Sequence, residues 1–345
     1  MRLRYVAVYG LFGSYDNVIE LNGDGLTFIH SLNGMGKSMT LRLICMLFDG
    51  DEEGLLSIPF LKMDLEFDDG TIIFVDRRNG LQVRISKNEV DLDTTVAKVG
   101  EMYDVLYLSA ERNVTYGKDG SMKSTINVLQ DDINGRLSSS SDNSEITIGE
   151  KMCEDLGEEE FINRCRDIKA KMDFIEDAGI RVKLPSDIRF PPKRMEYSEN
   201  KEKYRKLASS LSDWIDKNYL FAESLVTYLD IINSMFTNKK IAVNDRRRLT
   251  AVLNDGNTIS LDRLSAGEKQ LMIIFYELLF LTHPDMTVII DEPEISLHVG
   301  WQQKLCSLFL DISRIRKIDL LVATHSPQII HDRWDLAQEL GADHA

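Results

Sequence analysis

The chain has 345 residues, of which 43% are hydrophobic and 28% charged, and its net charge is -15. That length fits one large domain with an insertion or two ordinary domains. The acidic balance excludes a protein whose whole surface wraps nucleic acid, because phosphate neutralisation needs clustered Lys and Arg. No apolar run reaches the roughly 18 residues of a membrane span, and the opening MRLRYVAVYG alternates like a strand and does not read as a signal peptide. Cys45, Cys153, Cys165 and Cys306 lie far apart with no CxxC pair, so neither a disulfide framework nor a zinc site is expected, and a cytoplasmic, reducing location fits.

Along the chain, residues 1–112 read mostly as strands (LRYVAVY, NVIELN, LTFIHS, LKMDLEF, TIIFVDRR, LQVRIS, DVLYLS) broken by NGDG, DDG and RNG turns, with one helix, KSMTLRLICMLF. Residues 113–149, with GKDGS and INGRLSSSSDNSE and few aromatics, predict a mobile loop. Residues 150–236 turn helical: EEEFINRCRDIKAKMDFIEDAG is one amphipathic segment, LPSDIRFPP breaks it, and KEKYRKLASSLSDWIDKNYLFAESLVTYLDIINSMF is a second. Residues 237–345 open with KKIAVND and the hairpin RRLTAVL-NDGN-TISLDRL. Helix, strand MTVIIDE, helix, strand DLLVATHS and helix follow, which predicts parallel strands with crossover helices.

Ser31 to Ser38 reads SLNGMGKS between an apolar strand and a helix, a P-loop pattern except for Ser31 in place of the first glycine. In such a loop Gly34 and Gly36 let backbone N–H groups close around phosphates, Lys37 reaches the β and γ phosphates, and Ser38 ligates magnesium. The expected ATP contacts are Asn33, Gly34, Met35, Gly36, Lys37, Ser38 and Met39. TVIIDE puts Asp291 and Glu292 at the carboxyl end of a wholly apolar strand, where open parallel sheets bind ligands. Asp291 is expected to hold magnesium and Glu292, kept extended by Pro293, to deprotonate the attacking water. His325 ends DLLVATHS at the same edge and is expected to meet the γ phosphate or that water.

A second anion site is predicted in LDRLSAGEKQ, where Ser265 reads as an N-cap with Gly267 and Glu268 in the first turn of a helix. Lys239, Lys240, Arg246, Arg247 and Arg248 form the densest basic cluster, which reads either as a solvated hairpin edge or as a local nucleic-acid contact.

SLNGMGKS, LSAGEKQ, IIDEPEISLH and ATHS, in that order, resemble the ABC-type ATPase head, and DEPEISLHVGWQQKL with THSPQII looks most like the OLD-like (overcoming-lysogenization-defect) bacterial ATPases, including those of Septu and retron-associated phage defence. The resemblance spans about residues 1–112 and 232–331. It implies an α/β head, with a mixed sheet core and an antiparallel β subdomain, carrying a helical insertion. It also implies ATP and magnesium as cofactors and a head-to-tail homodimer, or higher even oligomer, in which Ser265, Gly267 and Glu268 of one subunit close on the nucleotide of the other, with Ser296 and His298 on the dimer-facing loop. Two features depart from the family: Gly13 stands where a basic residue is usual, and no glutamine loop is evident, which leaves Glu111 or Arg112 in that place.

In this family dimer closure is the output of ATP hydrolysis, so the resemblance implies a switch or scaffold controlling a separate effector, a nuclease or toxin in antiviral defence. OLD nucleases carry a nuclease domain after the head. The 20 residues after His325 leave no room for one, so the effector is expected on another polypeptide. Its docking place is expected in the insertion, with Trp214, Tyr219, Phe221 and Tyr228 as anchors or, alternatively, as internal packing. The alternative function is a DNA-binding repair or recombination ATPase. A transporter subunit fits less well, and no membrane partner is expected.

Overall fold

The computed structural model describes residues 1–32, 34–116, 122–139 and 146–341. The chain divides into two compact units, one formed by Met1–Met122 with Ser265–Ala345 and the other by Lys123–Leu264.

The first unit begins with β1 (Leu3–Leu11), β2 (Tyr15–Glu20), β3 (Leu26–His30), α1 (Lys37–Phe48) and α2 (Glu52–Ser57). Then come β4 (Lys62–Phe67), β5 (Ile72–Asp76), β6 (Gln82–Lys87), β7 (Val90–Thr94), α3 (Val96–Gly100) and β8 (Val105–Leu108). Two short strands, β9 (Val114–Tyr116) and β10 (Met122–Ser124), fall at the boundary between the units in sequence. An antiparallel sheet runs in the order β2-β1-β4-β5-β6-β7. Its strands bury alternate residues, Met63 and Leu65 on β4 and Ile73 and Val75 on β5, as one-sided packing requires. Strand β7 was not legible in the sequence because its Val90 and Leu92 are exposed among acids. It is an edge strand held by pairing with β6, and its charges discourage further pairing.

After the second unit the chain returns as α8 (Ala266–Phe280), β14 (Thr287–Asp291), α9 (Val299–Arg316), β15 (Asp319–Ala323), α10 (Pro327–Ile330) and β16 (Ala337–Glu339), the strand numbers continuing from β11–β13 of the second unit described below. These strands join β3 and β8 in a parallel sheet of order β16-β3-β15-β14-β8. Every residue of β14 and β15 is buried, which explains their continuous apolar runs. Helix α1 lies in one apolar core shared with both sheets: Leu41, Leu43, Ile44 and Leu47 pack with Val6, Leu11 and Leu65 and with Ile289, Leu321 and Ala323. The start of α1 is thus fixed against the sheet edge that carries the motifs.

The second unit holds α4 (Thr125–Ser139), α5 (Glu158–Asp177), α6 (Arg194–Glu199) and α7 (Lys201–Met235), followed by an antiparallel sheet of β11 (Lys239–Val243), β12 (Leu249–Leu253) and β13 (Thr258–Ile259). Helix α4 corrects the loop expected over 113–149. Its buried Ile126, Leu129, Ile133 and Leu137 keep helical spacing, which the surrounding Ser, Asn and Gly disguise. Residues 117–121 and 140–145 of that stretch lie outside the described residues. The hairpin expected to belong with the C-terminal part of the head falls instead in this unit. Side-chain amides hold it: Asn233 pairs with both backbone groups of Ile241, at 2.7 and 2.9 Å, while Asn134 accepts from Leu249 N and Gln130 donates to Leu249 O, both at 2.9 Å. Among the described residues no helix is long and apolar enough to cross a membrane.

Candidate functional site

Strands β3, β15 and β14 are neighbours whose residues Ile29, Ala323 and Asp291 stand level, so the segments leaving them emerge at one edge. That is where parallel sheets place ligands. A cavity of about 670 Å³ opens there, lined by Gly34, Met35, Gly36, Lys37, Ser38 and Met39, with Glu292, His325 and Phe12. Asn33 lies outside the described residues.

The loop geometry follows from its glycines and one buried amide. Gly34 has φ 86° and Gly36 φ 80°, a region that side chains disfavour, and a Cβ at Gly36 would stand 2.6 Å from Leu11 Cδ2. Asn17, fully buried on β2, donates to Met35 O at 3.2 Å and to Thr40 Oγ1 at 2.9 Å, tying the loop to the first turn of α1. Nothing in the motif reading pointed to Asn17. A polar residue on the buried face of an alternating strand is the signal that marks it.

Lys37 Nζ donates to Ser31 Oγ at 2.9 Å and to the carbonyls of Ser31 and Leu32 at 3.0 and 3.4 Å. The serine that replaces the first P-loop glycine therefore serves as an acceptor for the lysine. Burial lowers the Lys37 pKa, opposed by the nearby Glu292, Asp291 and Glu294. Among the described residues no carboxylate lies within ion-pair distance of this ammonium, and its nearest ring nitrogen is His325 Nδ1 at 3.5 Å.

Asp291 is 4% exposed. Its Oδ2 accepts from Tyr107 OH at 3.1 Å, and its buried Oδ1 has no hydrogen-bond partner among the described residues. Such an orphaned carboxylate oxygen is costly in isolation and suits a cation. Burial beside Asp291 raises the Tyr107 pKa, keeping it a donor. Glu292 departs from the extended conformation expected before proline: its φ is 46°, rare for a side chain and costing on the order of 1–3 kcal/mol. Its N–H donates to Ala323 O at 2.9 Å, and its Oε1 stands 3.6 Å from His325 Nε2. His325 N donates to Glu294 Oε1 at 2.6 Å, so the carboxylate two residues beyond Glu292 fixes the histidine backbone.

The second anion motif starts α8 with a full capping box. Ser265 Oγ accepts from Glu268 N at 3.3 Å, and Glu268 Oε2 accepts from Ser265 N at 2.9 Å. The Glu268 carboxylate is thus buried in the cap, while Ser265 and Ala266 stay exposed. Gly267 is needed for packing, since a Cβ there would stand 2.3 Å from Ser296 O. None of Ser265, Gly267 and Glu268 lines the cavity at the P-loop. His298, on the neighbouring turn, N-caps α9 by accepting from Gly300 N at 3.1 Å.

The two departures from the family pattern resolve differently. Gly13 faces open space, and beside it Phe12, 48% exposed with φ 53°, lines the cavity. Phe12 was hidden in a segment, LFGSY, that reads as a turn. Glu111 is exposed, whereas Arg112 is buried and does not line the cavity.

In the second unit the basic turn is shaped by Asn244, whose Oδ1 accepts from the N–H groups of Arg246 and Arg248, both at 3.0 Å, and both arginines are exposed. The aromatic residues of α7 pack within the unit. Tyr228 is fully buried, Tyr219 lies 5.4 Å from the Phe174 ring, and Arg136 stands 5.9 Å over Phe221. Trp214 is half-buried.

A parallel sheet with a P-loop helix at one edge and acids at the end of a neighbouring strand defines the class: a P-loop ATPase domain of the AAA type. Residues 108–331 match the family model described as "AAA domain, putative AbiEii toxin, Type IV TA system", and the chain belongs to that family. The match includes Asp291, Glu292 and His325 and starts after the P-loop. No curated protein matches the chain. Similar solved structures are heads of SMC proteins. One is the SMC head bound to the C-winged helix domain of ScpA, at 11% identity over 96% of this chain and 91% of that one, with a TM-score of 0.49. Another is the SMC head domain from Thermotoga maritima, at 12% identity over 98% and 93%, with a TM-score of 0.46. A third is the Smc head with an extended coiled coil bound to the C-terminal domain of ScpA derived from Pyrococcus furiosus, at 12% identity over 95% and 91%, with a TM-score of 0.44.

Proposed function

We propose that the chain binds and hydrolyses ATP at the P-loop cavity and works as an ABC-type, OLD-like switch that controls a separate effector. The observation that carries the reading is the convergence of Lys37, Glu292 and His325 on one cavity beside the P-loop amides. Lys37, buried and in no ion pair among the described residues, is placed to take up phosphate charge. Ser38 and Asp291 would hold magnesium, a role that fits the unpartnered Asp291 Oδ1. When bound, that ion supplies positive charge to the phosphate oxygens. Glu292 accepts the proton of the attacking water, and its strained backbone sets its direction. His325, fixed through Glu294, orients that water or the γ phosphate.

Ser265 and the α8 N-terminus lie outside this cavity and are exposed, which supports closure of each site by a second copy of the chain. A two-fold pair is the commonest closed geometry. The γ phosphate then gives the pair differential affinity for closed and open states, the requirement for a ligand to move an equilibrium. The family's description names a putative toxin of a type IV toxin–antitoxin system, which supports an output beyond nucleotide turnover, while a separate effector in antiviral defence rests on the motif resemblance alone. ATP binding and turnover by the wild-type chain and by Lys37→Ala test the nucleotide reading. ATP affinity unaffected by loss of the Lys37 ammonium would sink it.

A second reading, a DNA-binding repair or recombination ATPase, is favoured by the exposed Arg246 and Arg248 on the Asn244 turn. Salt-dependent DNA binding that Arg246→Ala and Arg248→Ala weaken would support it.

A further inference from the structure

Asp291 ends β14, and its two flanks differ. On one side it pairs with Ala323 of β15. On the other, β8 stops one residue short, because the last pair there is Ile290 with Leu108. The chain leaving β8 folds back, and Arg112 takes the place of the missing strand: its Nη2 donates to Asp291 O at 2.6 Å and to Leu108 O at 3.5 Å, and its Nε donates to Ser109 O at 2.7 Å.

We infer that Arg112 is a positioning residue, whose buried guanidinium holds the Asp291 carbonyl and with it the strained backbone from which Glu292 reaches the cavity. The chemistry of the site makes a purely space-filling role a poor account. Arg112 is 4% exposed, no carboxylate among the described residues pairs with it, and its Nη1 is buried without a hydrogen-bond partner. Burying a guanidinium against neutral carbonyls alone is costly, and an apolar side chain would fill the same space at no such cost. Burial pulls its pKa down to about 10, with Glu277 on α8 the strongest opposing charge. Glu277 is itself raised to about 7 by burial, which Arg112 opposes. Among the described residues, the guanidinium's hydrogen bonds all go to the ends of β8 and β14 and the residue after β8. Arg112 does not line the cavity, so its effect reaches the chemistry through the backbone of Asp291 and Glu292.

The inference rests on the ATPase reading only in its kinetic arm, so the test also carries an arm that needs no turnover. Arg112→Met leaves Glu277 buried beside no cation, so Arg112→Met/Glu277→Met, which removes both charges, is made alongside it, with Arg112→Lys as the conservative variant. In the folded double variant the Glu292 amide, bonded to Ala323 O, should exchange hydrogen about tenfold faster or more than in the wild type. ATP affinity should stay within about threefold while turnover falls about tenfold or more, and Arg112→Lys should recover part of the loss. Unchanged Glu292 exchange in a folded double variant would overturn the inference. Failure of all three variants to fold would overturn it too, by assigning Arg112 to stability alone. A wild-type chain that does not hydrolyse ATP would sink the ATPase reading, while the exchange measurement would still decide the role of Arg112.

Discussion

His325 Nε2 stands 3.6 Å from Glu292 Oε1, although the two residues leave different strands, and the turn after Glu292 is tied to the histidine by the His325 N–H donating to Glu294 Oε1. The opposite ring nitrogen, Nδ1, lies 3.5 Å from Lys37 Nζ. One imidazole thus spans the gap between the group placed for phosphate and the group placed for water. This spacing makes the roles of the carboxylate and the ammonium separable by substitution.

Glu292→Gln should bind ATP with nearly wild-type affinity and lose turnover by about 10²-fold or more, because proton transfer needs the carboxylate while phosphate binding rests on Lys37 and the loop amides. It should accumulate as a dimer with ATP. Size-exclusion chromatography with ATP and a phosphate-release assay check this. A monomer that still hydrolyses ATP would remove Glu292 from the mechanism.

Ser265→Arg should spare ATP binding and abolish turnover, since Ser265 lies outside the cavity that holds the P-loop. Mixing it with Lys37→Ala, itself inactive, should restore part of the activity, because one site of a mixed pair combines an intact P-loop with an intact α8 N-terminus. No restoration in a mixture shown to exchange subunits would rule against shared sites.

Phe12 is half exposed at the cavity wall, a placement suited to stacking on a base. Stacking of a base on an aromatic ring is worth about 1–3 kcal/mol, so Phe12→Ala should weaken ATP binding by about tenfold. Binding of inorganic tripolyphosphate should not change. Calorimetric titration of both ligands decides, and equal losses for the two would show that Phe12 shapes the loop instead of meeting the base.

Burial raises the Glu277 carboxyl to about 7 from its usual 4.5. A group whose pKa is higher in the folded state favours folding below its unfolded pKa and loses that contribution as pH rises through the folded value. Relative to Glu277→Gln, which cannot titrate, the wild-type chain should therefore lose stability between pH 4.5 and about 7, by at most about 3 kcal/mol. Urea unfolding of both chains across that window is the measurement. Parallel stability curves would show that Glu277 does not titrate there.

Elements whose residues obey one period throughout were legible in the sequence. KSMTLRLICMLF coincides with α1, and the long segment starting at Lys201 coincides with α7. TVIID and DLLVA, apolar without alternation, are the buried strands β14 and β15. The motif pattern and the rule that the ends of neighbouring parallel strands share an edge brought the P-loop, Glu292 and His325 together, and they line one cavity. The illegible parts are those where tertiary contacts override local pattern. Helix α4 hides a four-residue apolar stripe among turn formers, and β7 forms by pairing although its apolar residues face outward. Phe12, Asn17 and Arg112 have roles set by what they touch, across sequence separations that no short motif spans.

The contact of Gly267 with the Ser296 carbonyl makes a gear of two turns. With no room for a methyl group between them, the start of α8 and the turn that follows β14 interlock, and neither can shift along the other without leaving a gap. Ser296 is four residues beyond Glu292, so a rearrangement of that acid as bound nucleotide changes state has a short mechanical route to Ser265 within one subunit. In the proposed pair, the face offered to a second copy would then register what happens in the home cavity.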